Sequence, residues 1–378
     1  DDQDRLISEP GYNPQTQLYG SWDKKDYQEL SDLKISKEDC LAQVDFLNRE
    51  LFLEILFKGE KDKTSLYVAA LTAILRPQLE EAPLIHVTAP TAGSGKSFVC
   101  KLIGRLAVDR NIAVKPFPKS EEECSKTILT ALYNNLPVIN FDNIDRDIPA
   151  YPSLCMVLTD SSFDARKLGE ISSITTGTRS LFLSSGNNVR PTNDMTRRTL
   201  VIELDPKSER PIGRKFCINP LRNLETKRKQ YIIALLKIIL GWIQAGKPIT
   251  NTKLVGFDQW AQYCVQPFLW LGMEDPLIAM SEEAQNDVQQ EELYALLKAL
   301  FDRYQISRFR IKQVVGAAMD QVGSTTGKDL YDAVVDAVGL ERDGCINKKK
   351  LGWYFKNKEG QVLKGLRIVR EKKLLDGY

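Results

Sequence analysis

Four short stretches carry the residue types that chemistry on a phosphate requires. The first is Pro90-Thr91-Ala92-Gly93-Ser94-Gly95-Lys96-Ser97-Phe98. Gly93 and Gly95 let backbone N–H groups turn inward around phosphate oxygens, and a helix starting there adds partial positive charge. Lys96 is placed to reach the β- and γ-phosphates of a nucleotide, and Ser97 to set its hydroxyl on Mg2+. The spacing follows G-x-x-x-x-G-K-[ST] except at its first position, where Pro90 stands. The expected nucleotide-binding set is therefore Thr91, Ala92, Gly93, Ser94, Gly95, Lys96, Ser97 and Phe98.

The second stretch, Leu136-Pro137-Val138-Ile139-Asn140-Phe141-Asp142, is an apolar strand ending in a carboxylate, 46 residues beyond Lys96. Asp142 is the second expected Mg2+ ligand. The next residue is Asn143, whose amide can orient a water but cannot accept its proton. Either Asp145 or another nearby acid takes that proton, or hydrolysis is slow. The third stretch, Ser180 to Asn188, is an apolar strand with Asn187 near its carboxyl end, where ligands of open α/β sheets bind. Asn187 is thus within reach of a γ-phosphate or of the attacking water, although Asn-Asn after Gly186 also makes an ordinary turn. The fourth is Thr196-Arg197-Arg198-Thr199, with Arg198 eleven residues past Asn187. An arginine there can reach the nucleotide of a neighbouring subunit and stabilise transition-state charge; structural salt-bridging is the alternative for one of the pair.

These residues need strands to carry them and helices to space the strands. Strands are expected at Leu84 to Thr88, Ala113 to Pro116, Pro137 to Phe141, Ser180 to Ser185 and Thr199 to Leu204. Helical patterns lie between them at Phe98 to Leu106 and Glu121 to Tyr133, and alternation of this kind implies a parallel sheet with covered faces. Ser36 with Asp39 marks a helix start. Leu41 to Phe57 and Ser65 to Leu75 keep helical spacing, and Arg76-Pro77 stops the second of them. After Asp205 the pattern is helical at Arg222 to Ala245, Phe257 to Leu271 and Ser281 to Tyr304. A last module reads as helices at Ile311 to Val322, Lys328 to Val338 and Lys348 to Lys356. A hairpin follows, Gln361 to Leu363 against Leu366 to Arg370, turned at Lys364-Gly365.

The fold class read from this order is α/β, with five stretches. Residues 1–35 are a linker or the remnant of an upstream domain, 36–80 a helical segment, 81–206 the phosphate-loop core, 207–305 a second helical segment and 306–378 a winged-helix-like module. The chain opens on Asp1 rather than Met, as a piece of a longer protein would.

Composition narrows the function. Of 378 residues, 43% are hydrophobic and 27% charged, which is ordinary globular chemistry. The longest apolar stretch, Tyr231 to Ile243, is interrupted by Lys237 and is too short for a bilayer, which needs roughly 20 residues. Seven scattered cysteines without a C-x-x-C pair argue against a disulfide framework or structural zinc and fit a reducing, cytoplasmic compartment. The only histidine, His86, sits on the strand before the glycine-rich turn and reads as a packed core residue. Catalysis must then use carboxylates, Lys, Arg, hydroxyls or an oxygen-bound metal. The net charge of +2 conceals a gradient: residues 1–60 carry 14 acidic and 7 basic side chains, residues 341–378 carry 5 and 11. A basic terminal module is the electrostatic footprint of a partner with phosphates.

The order of glycine-rich loop, Phe141-Asp142-Asn143 strand, Gly186-Asn187-Asn188 strand end and Arg197-Arg198 resembles an AAA+ ATPase. More narrowly, it is similar to the superfamily-three-like helicase modules of phage and mobile-element primase–helicase proteins. The resemblance covers Leu41 to Asp205 and extends more loosely to the C-terminal helices and winged helix. It implies that Lys96 and Ser97 form the Walker A pair, Asp142 the Walker B carboxylate, Asn187 the sensor and Arg198 or Arg197 the arginine finger. Pro90 and Asn143 depart from the family's common patterns. The resemblance also implies ATP and Mg2+ as cofactors, a hexameric ring translocating on single-stranded DNA, and a primase or polymerase domain upstream. In related rings a hairpin before the sensor strand touches DNA, which points here to Arg166 and Lys167.

In the last module, Asn347 to Lys356 puts apolar residues on one helix face and lysines on another. Winged helices set such a helix in a DNA groove and the wing on the backbone. Lys348, Lys349, Lys350, Lys364, Arg367 and Arg370 are the expected contacts to double- or single-stranded DNA, with Trp353 and Tyr354 read as core. The leading expectation is an ATP-dependent replicative DNA helicase. An ATP-switched initiator or helicase loader with little hydrolysis is the second reading, kept open by Asn143. A protein-remodelling machine is the third, disfavoured by the basic C-terminus and by the lack of an aromatic-Gly pore motif between the Walker elements.

Overall fold

The chain enters the fold through a hairpin of β1 (Gly11–Asn13) and β2 (Leu18–Gly20), in a stretch whose polarity reads as linker. The Asn13 side chain closes its turn by accepting from the N–H groups of Gln15 and Thr16 at 3.0 and 3.1 Å, a local bond that needs no hydrophobic pattern. This computed structural model describes residues 6–7, 9–16, 18–27, 30, 33–166, 173–207, 216–250, 257–278, 280, 288–320, 328–341 and 344–370.

Helix α1 (Lys37–Leu47) begins with a reciprocal cap. Ser36 Oγ accepts from Asp39 N–H at 3.1 Å, and the Asp39 carboxylate accepts from Ser36 N–H at 2.9 Å. A wider helical turn, Asn48–Phe52, continues it. Helix α2 (Glu60–Leu75) stops at Arg76, ahead of Pro77. The buried Arg76 guanidinium donates to the carbonyls of Leu79, Thr178 and Ser180 at 2.6, 2.7 and 3.0 Å. Burial lowers its pKa to about 10, so it stays a cation at neutral pH.

Five parallel strands follow: β3 (Leu84–Ala89), β4 (Val114–Lys115), β5 (Val138–Ile144), β8 (Leu181–Asn187) and β9 (Thr199–Glu203), in the spatial order β4-β5-β8-β3-β9. Between β5 and β8 lies an antiparallel pair, β6 (Ser162–Arg166) and β7 (Ser173–Gly177). The connecting helices are α3 (Lys96–Ala107), α4 (Glu121–Tyr133) and α5 (Pro152–Thr159). Parallel strands need such crossovers to return the chain to the same edge. Every residue of β3 is buried, as in a sheet covered on both faces.

Helix α3 packs on β3, β5 and β8, and α6 (Pro220–Gln244) lies along it. Arg228 of α6 donates to the carbonyls of Arg105, Leu106 and Ala107 at 2.9, 2.7 and 3.1 Å. These are the last acceptors of α3, which the helix itself cannot use. Helix α3 is thereby held at its far end. A broken helical run through Asp258–Trp260 and Gln266–Trp270 completes this body.

The chain divides into two compact units, Asp1–Ala284 and Gln285–Tyr378. The second holds helices Val288–Tyr304, Ile311–Met319, Lys328–Val338 and Lys348–Asn357. Leu296 and Leu300 of its first helix share a buried cluster with Val314, Val334 and Leu351. That shared core places the helix with the C-terminal module, so the division falls before Gln285 rather than near residue 306. Leu363 and Leu366 exchange both backbone hydrogen bonds at 2.9 Å around Lys364 and Gly365, whose φ values are +46° and +84°. Two left-handed residues give the tight turn that suits a twisted hairpin. Only this bridge forms between the expected wing strands. Among the described residues no helix is long and apolar enough to cross a membrane. None of the seven cysteines, all of them among the described residues, forms a disulfide.

Candidate nucleotide-binding site

Strand β3 delivers the chain to the carboxyl edge of the sheet, and the next six residues turn it into α3. Gly93 and Gly95 have φ of +76° and +92°, a region closed to most side-chain-bearing residues, and Gly95 is the N-cap of α3. The first helical bond runs from Val99 N–H to Gly95 O at 2.9 Å. The amides of Lys96, Ser97 and Phe98 precede it, so they are donors the helix leaves for an anion. The loop braces itself through Ser94 Oγ, which donates to Thr91 O at 2.6 Å. Lys96 Nζ donates to the same carbonyl at 2.9 Å. Burial lowers the pKa of Lys96, and the nearby Asp142 opposes that shift.

Asp142 collects three donors on Oδ1. Ser97 Oγ lies at 2.8 Å and Asn143 N–H at 2.9 Å, and Ser185 Oγ also donates to it. The strand pairing explains this meeting. Asp142 and Ser185 each follow, by two residues, the register partners Asn140 and Leu183, so strand alternation puts both on one face of the sheet. Past Phe141 the register shifts, and pairing resumes at Ile144 with Gly186. Asn143, at φ +58°, is the extra residue of this bulge. Gly186 is required there, because a Cβ on it would lie 2.8 Å from the Ile144 carbonyl oxygen. The inserted residue resets the alternation, so Ile144 is buried beside Gly186, and the exposed Asp145 follows one residue past the end of β5.

Asn187 is the register partner of Ala89, and so stands beside the start of the glycine-rich loop. Asn188 ties the two together, its N–H donating to Ala89 O at 3.1 Å and its amide to Pro90 O at 3.3 Å. The fold therefore brings Lys96, Ser97, Asp142, Asn143 and Asn187 to one edge of the sheet. His86 lies lower on β3, wholly buried, between Ser184 Oγ at 2.8 Å and the Val189 carbonyl at 3.1 Å. A carbonyl can only accept, so Nε2 carries the proton and Nδ1 accepts from Ser184. Burial depresses its pKa to about 4, and the residue belongs to the core.

Arg197 and Arg198 close the turn Asn193–Arg198 before β9. Both donate to Asp194, Arg198 at 2.8 Å, and Arg198 also reaches the Cys155 carbonyl at 3.4 Å. Burial raises the pKa of Asp194, but the hydrogen bonds from the two guanidiniums outweigh it and leave the pKa lowered. The Arg198 side chain is 12% exposed and that of Arg197 48%. The pair thus has two environments, one packed and one open.

Arg166 ends β6 opposite Ser173, while Lys167 lies outside the described residues. In the second unit Lys348, Lys349 and Lys350 are exposed on the first turn of their helix. Asn347 caps that turn, accepting from Lys349 and Lys350 N–H at 2.8 and 3.0 Å. Lys364 sits 4.4 Å from the centroid of the Tyr294 ring, and Arg367 and Arg370 are exposed. Trp353 departs from its expected core position and faces solvent, whereas Tyr354 is packed as expected.

The sequence pattern did not single out Ser185 or Asp194. Asp194 had a usable signal, its spacing of three and four residues from Arg197 and Arg198 in a helical turn. Ser185 had none, since its role depends on strand register. Among the described residues no three His, Cys, Asp or Glu side chains gather as a metal site, so a cation here would draw on Ser97, Asp142 and phosphate oxygens. Such hard oxygen donors suit Mg2+. A cavity of about 500 Å³, lined by Ile74, Leu79, Leu106, Ile239 and Tyr263, lies by the opposite end of α3 and is separate from this edge. No protein-family model matches the chain, and no curated protein matches it.

Proposed function

We propose that the first unit binds and hydrolyses ATP with Mg2+, and that the chain is a helicase module of the AAA+, superfamily-three-like kind, working as a hexameric ring on single-stranded DNA. The observation that carries this reading is Ser97 Oγ at 2.8 Å from Asp142 Oδ1, beside a lysine seated on a left-handed glycine loop. The amides of Lys96, Ser97 and Phe98 and the α3 dipole would hold the β-phosphate. Lys96, now bonded to a loop carbonyl, would exchange that bond for phosphate oxygens. Ser97 and Asp142 would hold Mg2+, which supplies charge neutralisation at the β- and γ-phosphates.

Asn187 would orient the attacking water from the end of β8, and Asn143 would hold it from the bulge. Asp145, exposed three residues past Asp142 just beyond the end of β5, is the carboxylate we assign as its base. Arg197, the open member of the pair, is the better finger toward a neighbouring subunit, with Arg198 anchoring the turn. Arg166 and Lys167 would meet the translocating strand, and the lysines and arginines of the second unit would hold DNA phosphates. ATP-dependent strand displacement on a forked duplex tests this reading; a Lys96→Ala variant should lose it. The second reading, an ATP-switched initiator or loader, is favoured by Asn143 at the position where a catalytic acid usually stands. It would show ATP-dependent DNA binding with no displacement.

A further inference from the structure

Trp353 is 68% exposed on helix Lys348–Asn357. Five other aromatic side chains of the second unit behave differently: Tyr304, Phe309, Tyr331, Tyr354 and Phe355 pack on its buried cluster, and Phe301, at 39%, is much less exposed than Trp353. Burying an indole removes about 150–250 Å² of surface from water, so leaving it out forgoes a large stabilisation. Its surroundings on the helix are cationic. Residues three and four apart share a helix face, which sets Lys349, Lys350 and Lys356 around Trp353, and all three are exposed. Lysines in the first turn also oppose the helix dipole, a cost that an anion would relieve.

We propose that Trp353 is a base-stacking platform for single-stranded nucleic acid, with Lys349, Lys350 and Lys356 holding phosphates on either side of it. This rests on the DNA-binding reading of the second unit and adds the form of the ligand. In a duplex both faces of each base are already stacked, and an indole reaches one only by unstacking a step, which costs a few kcal/mol. In a single strand the face is open, and stacking on an aromatic side chain contributes about 1–3 kcal/mol per base. Every base offers a π-face and the lysines read no sequence, so the platform is sequence-tolerant.

The test uses the full chain and fluorescence anisotropy with labelled oligo-dT and a duplex of equal length, across a salt series. Trp353→Ala should weaken single-strand binding about five- to a hundredfold. It should leave the salt slope unchanged and duplex binding within about twofold. Trp353→Phe should keep most of the affinity, which also shows that the helix folds. The double variant Lys349→Ala/Lys350→Ala should instead flatten the salt slope by about 0.7 per lysine on single strands. Unchanged single-strand affinity in Trp353→Ala overturns the proposal, as does an equal loss on both ligands. A loss that sedimentation traces to dissociated oligomers overturns it too. If the lysine variant weakens binding and the tryptophan variant does not, stacking fails while DNA binding by this unit stands. If neither ligand binds, both readings fall.

Discussion

The Ser97 hydroxyl donates to Asp142 Oδ1 across 2.8 Å, joining the first turn of α3 to the end of β5. Two residues 45 positions apart thus form one oxygen pair, and Ser185 and the Asn143 amide fix the carboxylate from β8 and from the bulge. Asp142→Asn keeps the shape and removes the charge. Phosphate release with Mg2+ and ATP should fall at least about a hundredfold, the scale of losing one electrostatic partner of the transition state. Circular dichroism should stay unchanged. Wild-type turnover in this variant would remove Asp142 from the site.

The two arginines should separate by phenotype. Arg198→Ala breaks packed, charge-assisted bonds to Asp194 and to the Cys155 carbonyl, and should cost about 1.5–3 kcal/mol in urea unfolding. Arg197→Ala should unfold nearly as wild type does but hydrolyse ATP poorly. Mixing it with Lys96→Ala subunits should restore turnover, because each subunit then supplies what its neighbour lacks. Loss of turnover in Arg198→Ala with unchanged stability would move the finger to Arg198.

Asp145→Asn tests the base. If Asp145, one residue past the end of β5, accepts the proton of the attacking water, kcat should fall about 10²- to 10⁴-fold while ATP affinity holds. Nucleotide binding by calorimetry and single-turnover hydrolysis separate the two quantities. An unchanged kcat would place proton acceptance elsewhere.

His86 gives the fold a dependence on pH. Its folded pKa, near 4, lies below the ordinary value of about 6.5, so below pH 6.5 the unfolded chain binds a proton that the native state refuses. The stability from a neutral His86 is complete above pH 6.5, falls as pH drops from 6.5 toward 4, and then levels off. Between pH 7 and pH 5 the loss should be about 2 kcal/mol, measured against a His86→Gln variant that lacks this dependence. As the chain's only histidine, it should give one pair of imidazole carbon-bound proton resonances, neither of which reaches a titration midpoint between pH 8 and 5. A midpoint near 6.5 would contradict the burial.

Much of the sheet was legible because its signals are local. The glycines of the loop before α3 sit between an apolar run and a helical one, and α4 is bounded by Ser120 at its start and Asn134 at its end. Hairpin β1–β2 was not legible, since its strands are three residues long and an asparagine side chain holds its turn. The bulge at Asn143 and the role of Ser185 depend on pairing between strands some 40 residues apart, which no window of sequence contains. The face of helix Lys348–Asn357 that is buried depends on which neighbours cover it. Leu351 and Tyr354 turned inward and Trp353 outward, although all three belong to one apolar-rich run.

Steady-state ATP hydrolysis with Mg2+, measured with and without single-stranded DNA at concentrations that assemble rings, tests the motor reading most directly. Turnover that rises on adding single strands, and vanishes in Lys96→Ala, is the predicted result. Tight ATP binding with negligible turnover under both conditions would contradict it and leave a nucleotide-switched DNA-binding protein.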